Sequence, residues 1–143
     1  MFIAKPGYAN SIAGWKRPIS SMAPLIIFQN GRPVLSVGAP GGRRIMSRVL
    51  QVVNNIIIFG MGPQEAIIRP TVDTITKNTV VDSRISENVV KNLEKLGHRI
   101  KIVKEEPGML GNFSRPSAIF IDHEAGLLRA GVDAFRAAMA LGY

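Results

Sequence analysis

Two serines, Ser20 and Ser21, and two glycines, Gly41 and Gly42, are the residues whose types and spacing suit chemistry on a small anion. Pro40-Gly41-Gly42 runs directly into a long stretch with helical apolar period. Glycines at a helix entry leave backbone N–H groups uncovered, pointing outward as donors for an oxyanion or a carboxylate. Arg43 and Arg44 follow in the first turn, where each cation opposes the helix dipole at a typical cost of about 0.3–1 kcal/mol. A negative group is therefore expected beside them. The same residues also fit a plain strand-to-helix turn with solvated arginines.

The elements that would position these groups flank them. Leu25 to Gln29 and Val34 to Gly38 are short apolar runs separated by Asn30-Gly31-Arg32-Pro33, and Asn-Gly between strand-like runs signals a tight hairpin because both residues tolerate positive φ. Folding back would bring Ser20 and Ser21 toward Gly41 and Gly42. Pro33 marks the second strand as late-starting or as an edge. A Ser-His-Asp reading, with Ser20 or Ser21, His98 or His123, and Asp122, is the rival chemistry; no G-x-S-x-G elbow surrounds either serine.

Lys16 to Pro24 (KRPISSMAP) followed by Val37 to Gly42 (VGAPGG) resembles the small-subunit signature of the gamma-glutamyltransferase family of N-terminal nucleophile (Ntn) hydrolases. Phe2 to Gly7, Asn55 to Met61 with Gln64-Glu65-Ala66, and Gly142-Tyr143 extend the likeness over essentially the whole chain. The resemblance implies a four-layer αββα sandwich to which this chain adds strands and outer helices. It implies that a freed N-terminal threonine attacks a gamma-glutamyl amide, with its own amine as base. Ser20 and Ser21 would then hold the substrate's α-carboxylate, with Arg43 and Arg44 nearby, and Gly41 and Gly42 would supply oxyanion donors, commonly worth about 10²–10³ in rate each. Parent-family members are often periplasmic or secreted.

The departures matter too. Thr71, Thr74, Thr76 and Thr79 all lie well after the signature, and none follows a plausible autocleavage point, so the nucleophile is expected outside this chain. Met1 stands where the family has an acidic residue that grips the substrate amine, and the family's small subunit begins several tens of residues earlier. A truncated or split gene, or a late-starting reading frame, is the expectation, with the large subunit and the N-terminal part of the small subunit as partners. Thr71-Val72-Asp73 replaces the family's Arg-Phe-His-like run, which bears on substrate identity.

Composition narrows the alternatives. With 46% hydrophobic and 20% charged residues the 143-residue chain reads as one globular domain. No run approaches the 18 or so apolar residues of a membrane helix, and no signal peptide is recognisable. No cysteine and two histidines argue against disulfides, thiolate metal sites or zinc, and no cofactor is expected. Lys and Arg outnumber Asp and Glu 18 to 10. Only Arg43, Arg44 and Arg48 cluster, without interleaved aromatics, so nucleic acid is not the expected partner. Docking on a larger, more acidic chain accounts for the excess equally well.

Along the chain, residues 1–17 read as an extended segment draped over a surface, with Trp15 as a packing anchor. Gly42 to Phe59 is the clearest helix, apolar enough toward its end to be buried on most sides. Pro63 opens a short helix ending before Pro70. Thr79-Val80-Val81 reads as a strand. Ser86 caps a helix through Leu96 that Gly97 ends, and His98 is a cation at that terminus. Arg99 to Val103 is a strand. Glu105 to Pro116 is a loop, and Ser117 to Asp122 with Leu127 to Gly131 a second hairpin whose tip carries solvated His123 and Glu124. Ala134 to Leu141 closes with a short helical turn. The order predicts an α+β fold, a single domain over residues 1–143 that does not complete the sandwich. Two functional expectations follow: part of a gamma-glutamyltransferase-type enzyme or related acylase acting on a gamma-glutamyl compound or other small carboxylate, inactive alone, or a non-catalytic remnant that keeps an anion-binding module.

Overall fold

The structure is a computed structural model that describes residues 2–107 and 111–141. Met1, residues 108–110 in the long loop, and the terminal Gly142-Tyr143 lie outside the described residues.

The first hairpin forms as its turn residues dictate. Strands β1 (Leu25–Gln29) and β2 (Arg32–Gly38) pair antiparallel around Asn30 and Gly31, whose φ values are +51° and +75°. Pro33 is accommodated where the β1 register shifts, beyond the reach of the next strand, so β2 is interior despite its proline. Strand β3 (Val72–Asp73) and strand β4 (Thr79–Asp82) belong to a second sheet, which strand β5 (Ile100–Val103) joins in parallel to β4. Strands β6 (Ser117–Asp122) and β7 (Leu127–Val132) complete the larger sheet in the order β1-β2-β6-β7.

Helix α1 (Ile45–Ile57) follows a single 3-10 turn at Gly42–Arg44, helix α2 (Pro63–Ile68) starts on its proline, and helix α3 (Glu87–Lys95) crosses from β4 to β5. Ser86 occupies the N-cap position of α3, but its hydroxyl makes no capping hydrogen bond. His98 is placed by a Thr79 Oγ1–Nδ1 contact of 2.9 Å, which ties the end of α3 to the start of β4.

Leu35 and Val37 of β2 share a face with Ala118 and Phe120 of β6, their cross-strand partners, and this face receives Ile45, Val49, Val52 and Ile56 of α1 with Ala66 and Ile67 of α2. The opposite face carries Ile26, Ile119 and Leu128, all exposed. Helix α1 is likewise covered on one side only: Met46, Leu50, Ile57, Ile58 and Phe59 face outward, whereas burial on most sides was expected. The chain accordingly exposes 10146 Å², well above the roughly 7,200 Å² that area–mass scaling gives a compact 15.5 kDa protein.

Three further expectations need correction. The N-terminal strip is not simply extended: Ile3 and Ser11 bridge, and Ser11, buried, ties the loop by donating to the Lys5 carbonyl and accepting from the Tyr8 amide. Trp15 anchors nothing, being fully exposed at φ +62°. Ala134 to Leu141 forms a turn and bends without a helix. There the Phe135 amide donates to Asp133 Oδ1 at 2.9 Å, a local bond that competes with helix formation.

Candidate anion-binding site

Gly41 and Gly42 both take positive φ, +144° and +60°, which turns the chain sharply from β2 into α1. At Gly41 the reason for glycine is also steric. A Cβ there would lie 2.6 Å from the Ser114 Cβ and 2.7 Å from its Cα. The loop at Ser114 is fastened to this turn by two bonds to one carbonyl: Ser114 Oγ donates to Pro40 O at 2.7 Å and the Arg115 amide donates to it at 3.1 Å. The turn is thus held from behind, and among the described residues the Gly41 and Gly42 N–H groups have no hydrogen-bond partner. Both residues are exposed.

The three clustered arginines have separate fates. Arg43 is exposed. Arg44 Nε lies 3.8 Å from Asp73 Oδ1, and Ser47 Oγ donates to Asp73 Oδ2 at 2.9 Å, so the negative group expected beside the helix start comes in part from the chain itself. Arg48 is buried at 5% exposure, with Nη2 donating to the Ile67 carbonyl. Burial pushes its pKa down, against the neighbouring acids, foremost Asp133. Arg44, Ser47, Arg48, Gln51 and Asn55 form a polar seam at three- and four-residue spacing. Gln51 Nε2 donates to Val72 O at 2.9 Å and Asn55 Nδ2 to Ala66 O at 3.3 Å, binding α1 to β3 and to α2.

Behind the turn lies a charge cluster that the local sequence does not announce. Arg115 Nη1 donates to Asp133 Oδ1 at 2.9 Å, and Arg115 Nη2 lies 3.4 Å from Glu105 Oε2, with Arg115 and Glu105 almost fully buried. Arg84 grips Asp82, Nη2 to Oδ2 at 2.6 Å and Nε to Oδ1 at 3.0 Å. Desolvation opposes the charge on Asp82, but the Arg84 hydrogen bonds and charge prevail and hold its carboxyl below the usual range. The Phe135 ring sits 5.6 Å from the Arg84 guanidinium and 5.9 Å from that of Arg115.

The serine side is built differently. Ser20 is exposed and Ser21 half-buried, and the Ser20 hydroxyl accepts a bond from the Met22 amide at 3.2 Å. The register of Leu25 opposite Val37 puts the start of β1 beside the end of β2, so the segments that carry the serines and the glycines leave the hairpin at the same end. Among the described residues, no hydrogen bond joins Ser20 or Ser21 to Gly41 or Gly42.

The rival triad is not assembled. His98 is engaged by Thr79, and His123, expected to be solvated, accepts from Arg32 Nη2 at 2.9 Å while its Nε2 donates to Pro33 O at 2.8 Å. Asp122 takes Arg129 Nη2 at 2.8 Å and the Ala125 amide at 2.9 Å.

Two helices on one face of an antiparallel sheet, whose other face is apolar and open, together with a glycine turn presenting free amides, define part of an αββα Ntn-hydrolase fold. The chain belongs to the gamma-glutamyltranspeptidase family, whose model matches residues 1–143. It is 38% identical over 132 residues to a glutathione hydrolase proenzyme of Bacillus subtilis subsp. natto, covering 92% of this chain and 22% of that protein. With the corresponding proenzyme of Bacillus subtilis strain 168 the identity is 36% over 142 residues, covering 99% of this chain and 23% of the relative. Among solved structures, a gamma-glutamyltranspeptidase of Helicobacter pylori superposes with a TM-score of 0.75 at 31% identity, over 90% of this chain and 68% of that one. A cephalosporin acylase of Bacillus halodurans superposes with a TM-score of 0.81 at 27% identity, over 99% and 26% of the two chains. The chain therefore spans between 22% and 23% of the length of these two proenzymes.

Proposed function

We propose that this chain is the part of a gamma-glutamyltransferase-type Ntn hydrolase that binds the substrate's α-carboxylate and steadies the oxyanion, the threonine nucleophile coming from outside it. The observation that carries this reading is the Gly41-Gly42 turn, with two amides unpartnered among the described residues at the 3-10 turn that leads into the 13-residue helix α1, and Ser114 and Arg115 fixing its back. Amides held that way are preorganised for developing negative charge, and the helix dipole adds to them. In this reading Ser20 and Ser21 take the carboxylate of a gamma-glutamyl compound, Arg43 contributes field, and Arg44, tied to Asp73, contributes less.

The partners proposed are the segments that the longer relatives carry. The open face at Ile26, Ile119 and Leu128 suits a second sheet, and the outer face of α1 suits a further apolar layer. Glutathione-type amides are the substrate class that the names of the relatives suggest, with acylase chemistry as the variant.

A second reading, a non-catalytic anion-binding module, draws on the threonines. Thr71 Oγ1 donates to Gln51 Oε1 at 2.7 Å, Thr76 Oγ1 to Asn78 O at 2.7 Å, and Thr79 meets His98, so these hydroxyls serve structure. One experiment separates the two. The chain is assayed with gamma-glutamyl-4-nitroanilide, alone and after co-expression with the upstream segments of a Bacillus relative. No release of 4-nitroaniline alone and clear release on complementation support the first reading; glutamate binding without turnover in either case supports the second.

A further inference from the structure

Arg48 carries more hydrogen-bond donors than the protein around it accepts. Its guanidinium is charged at any physiological pH and presents five N–H groups. Nη2 reaches the Ile67 carbonyl, while Nε and Nη1, both buried, have no partner among the described residues. These atoms belong to a side chain that lines a small space between α1, β4 and the 113–116 loop, shared with Thr71, Ser114, Asp133 and others. The space allows about 10 Å³ to the centre of a water-sized sphere, close to the roughly 10–15 Å³ that one buried water occupies by that measure.

We infer that this cavity is a binding site for a single neutral water, which accepts from Arg48 and donates to the groups behind the Gly41 turn. The lining chooses among small guests. It holds the guanidinium groups of Arg48 and Arg84 and the carboxylates of Asp82, Glu105 and Asp133, and Arg115, paired with both Glu105 and Asp133, brings these charges to balance, so no net positive charge is left to hold an anion. Two N–H groups on Arg48 disfavour a cation. A water satisfies both, because it accepts from Arg48 and gives its two protons elsewhere.

Acceptors are available without breaking any bond described above. Asp133 uses Oδ1 for Arg115 and Phe135, leaving Oδ2. Ser114 Oγ and Thr71 Oγ1 spend their protons on Pro40 O and Gln51 Oε1, leaving lone pairs on both oxygens. The water thereby joins α1, through Arg48, to Ser114, the residue against which Gly41 packs. It is a joint behind the glycine turn, and it is independent of which reading of that turn is correct.

The test is a high-resolution crystal structure of the chain, alone or with its complementing segments, before and after a bromide soak. One density peak at roughly 2.7–3.2 Å from Arg48 Nε or Nη1, without anomalous signal, is the expected result. A bromide peak at that position would overturn the inference, as would a dry cavity with Arg48 bonded directly to a carboxylate. Without crystals, a rotating-frame cross-peak between the Arg48 Nε–H and a long-lived water resonance, lost in Arg48→Met, is the expected solution result. Its absence in the folded wild-type chain counts against the site.

Discussion

The Gly41-Gly42 turn and the Ser20-Ser21 arm are the two halves of one proposed site, and they are held in opposite ways. The turn is clamped by residues remote in sequence: Ser114 lies 74 positions from Pro40 and Asp133 lies 18 from Arg115. The arm is organised locally, with Ser20 bonded to an amide two residues on. Half of the proposed anion site is therefore tied down by bonds that form only in the folded chain, while the other half is held by a local one. This difference gives an order to the effects expected of mutation.

The largest effect is expected at Asp133. Asp133→Ala removes the 2.9 Å partner of buried Arg115 and the bond that shapes the turn at Phe135. Breaking a buried pair from one side typically costs about 3–5 kcal/mol, read as a shift in the urea unfolding midpoint. A loss under about 1 kcal/mol would mean that the clamp does not hold the turn.

Gly41→Ala comes next. The added Cβ meets the Ser114 backbone at 2.7 Å, and φ is +144°, so a cost of about 2–4 kcal/mol is expected. Gly42 is the internal control. Its φ of +60° is accessible to alanine at about 1 kcal/mol, and nothing lies within 4 Å of the added carbon. Equal losses at the two glycines would show that backbone conformation matters and the Ser114 contact does not.

Acid sharpens the same contrast. The Asp82 carboxyl is held below its usual range in the folded state, so its pairing with Arg84 stabilises the fold above the unfolded carboxylate pKa of about 3.9, and that contribution is lost as pH falls through the lower folded value. Asp82→Asn should therefore be less stable than wild type at pH 7, with the two curves converging as pH drops below about 4. The deficit should be smaller than that of Gly41→Ala, because Arg84 is 44% exposed and water screens the pair. A gap that widens in acid would overturn the assignment.

Much of this scaffold is legible in the sequence because its causes are local. Asn30-Gly31 fixes the first hairpin, Pro63 opens α2, and the glycine pair makes the entry to α1. What stayed hidden depends on distance along the chain. Arg48 follows Arg43 and Arg44 and reads as part of a solvated basic cluster; only the fold puts Asp82, Glu105 and Asp133 near it. The final helix fails for a comparable reason, since Asp133 captures the Phe135 amide and the ring stacks between Arg84 and Arg115. The parallel pairing of β4 and β5 leaves no local period either. Exposed apolar residues on α1 carry a different lesson: helical period reports an apolar surface and does not say which chain covers it.

Away from the site, His123 closes the far end of the larger sheet by joining Arg32 through Nδ1 and the Pro33 carbonyl through Nε2. Both contacts are exposed, so His123→Ala should cost only about 0.5–1 kcal/mol, measured by thermal unfolding, and should leave glutamate binding unchanged.

The smallest effect on stability is expected where the effect on binding is greatest. Ser20→Ala combined with Ser21→Ala touches one local hydrogen bond and no core contact, so unfolding should change by less than about 0.5 kcal/mol. If the two hydroxyls hold a carboxylate against the Gly41 and Gly42 amides, the same double variant should lose the chemical-shift response of those amides to added glutamate. Rising salt should weaken the wild-type response, because an exposed site with Arg43 beside it is screened. Retained binding in the double variant would remove the serines from the site and leave the glycine turn as the whole of it. Loss of stability comparable to Asp133→Ala would instead make the arm part of the core, and the contrast between the two halves would fail.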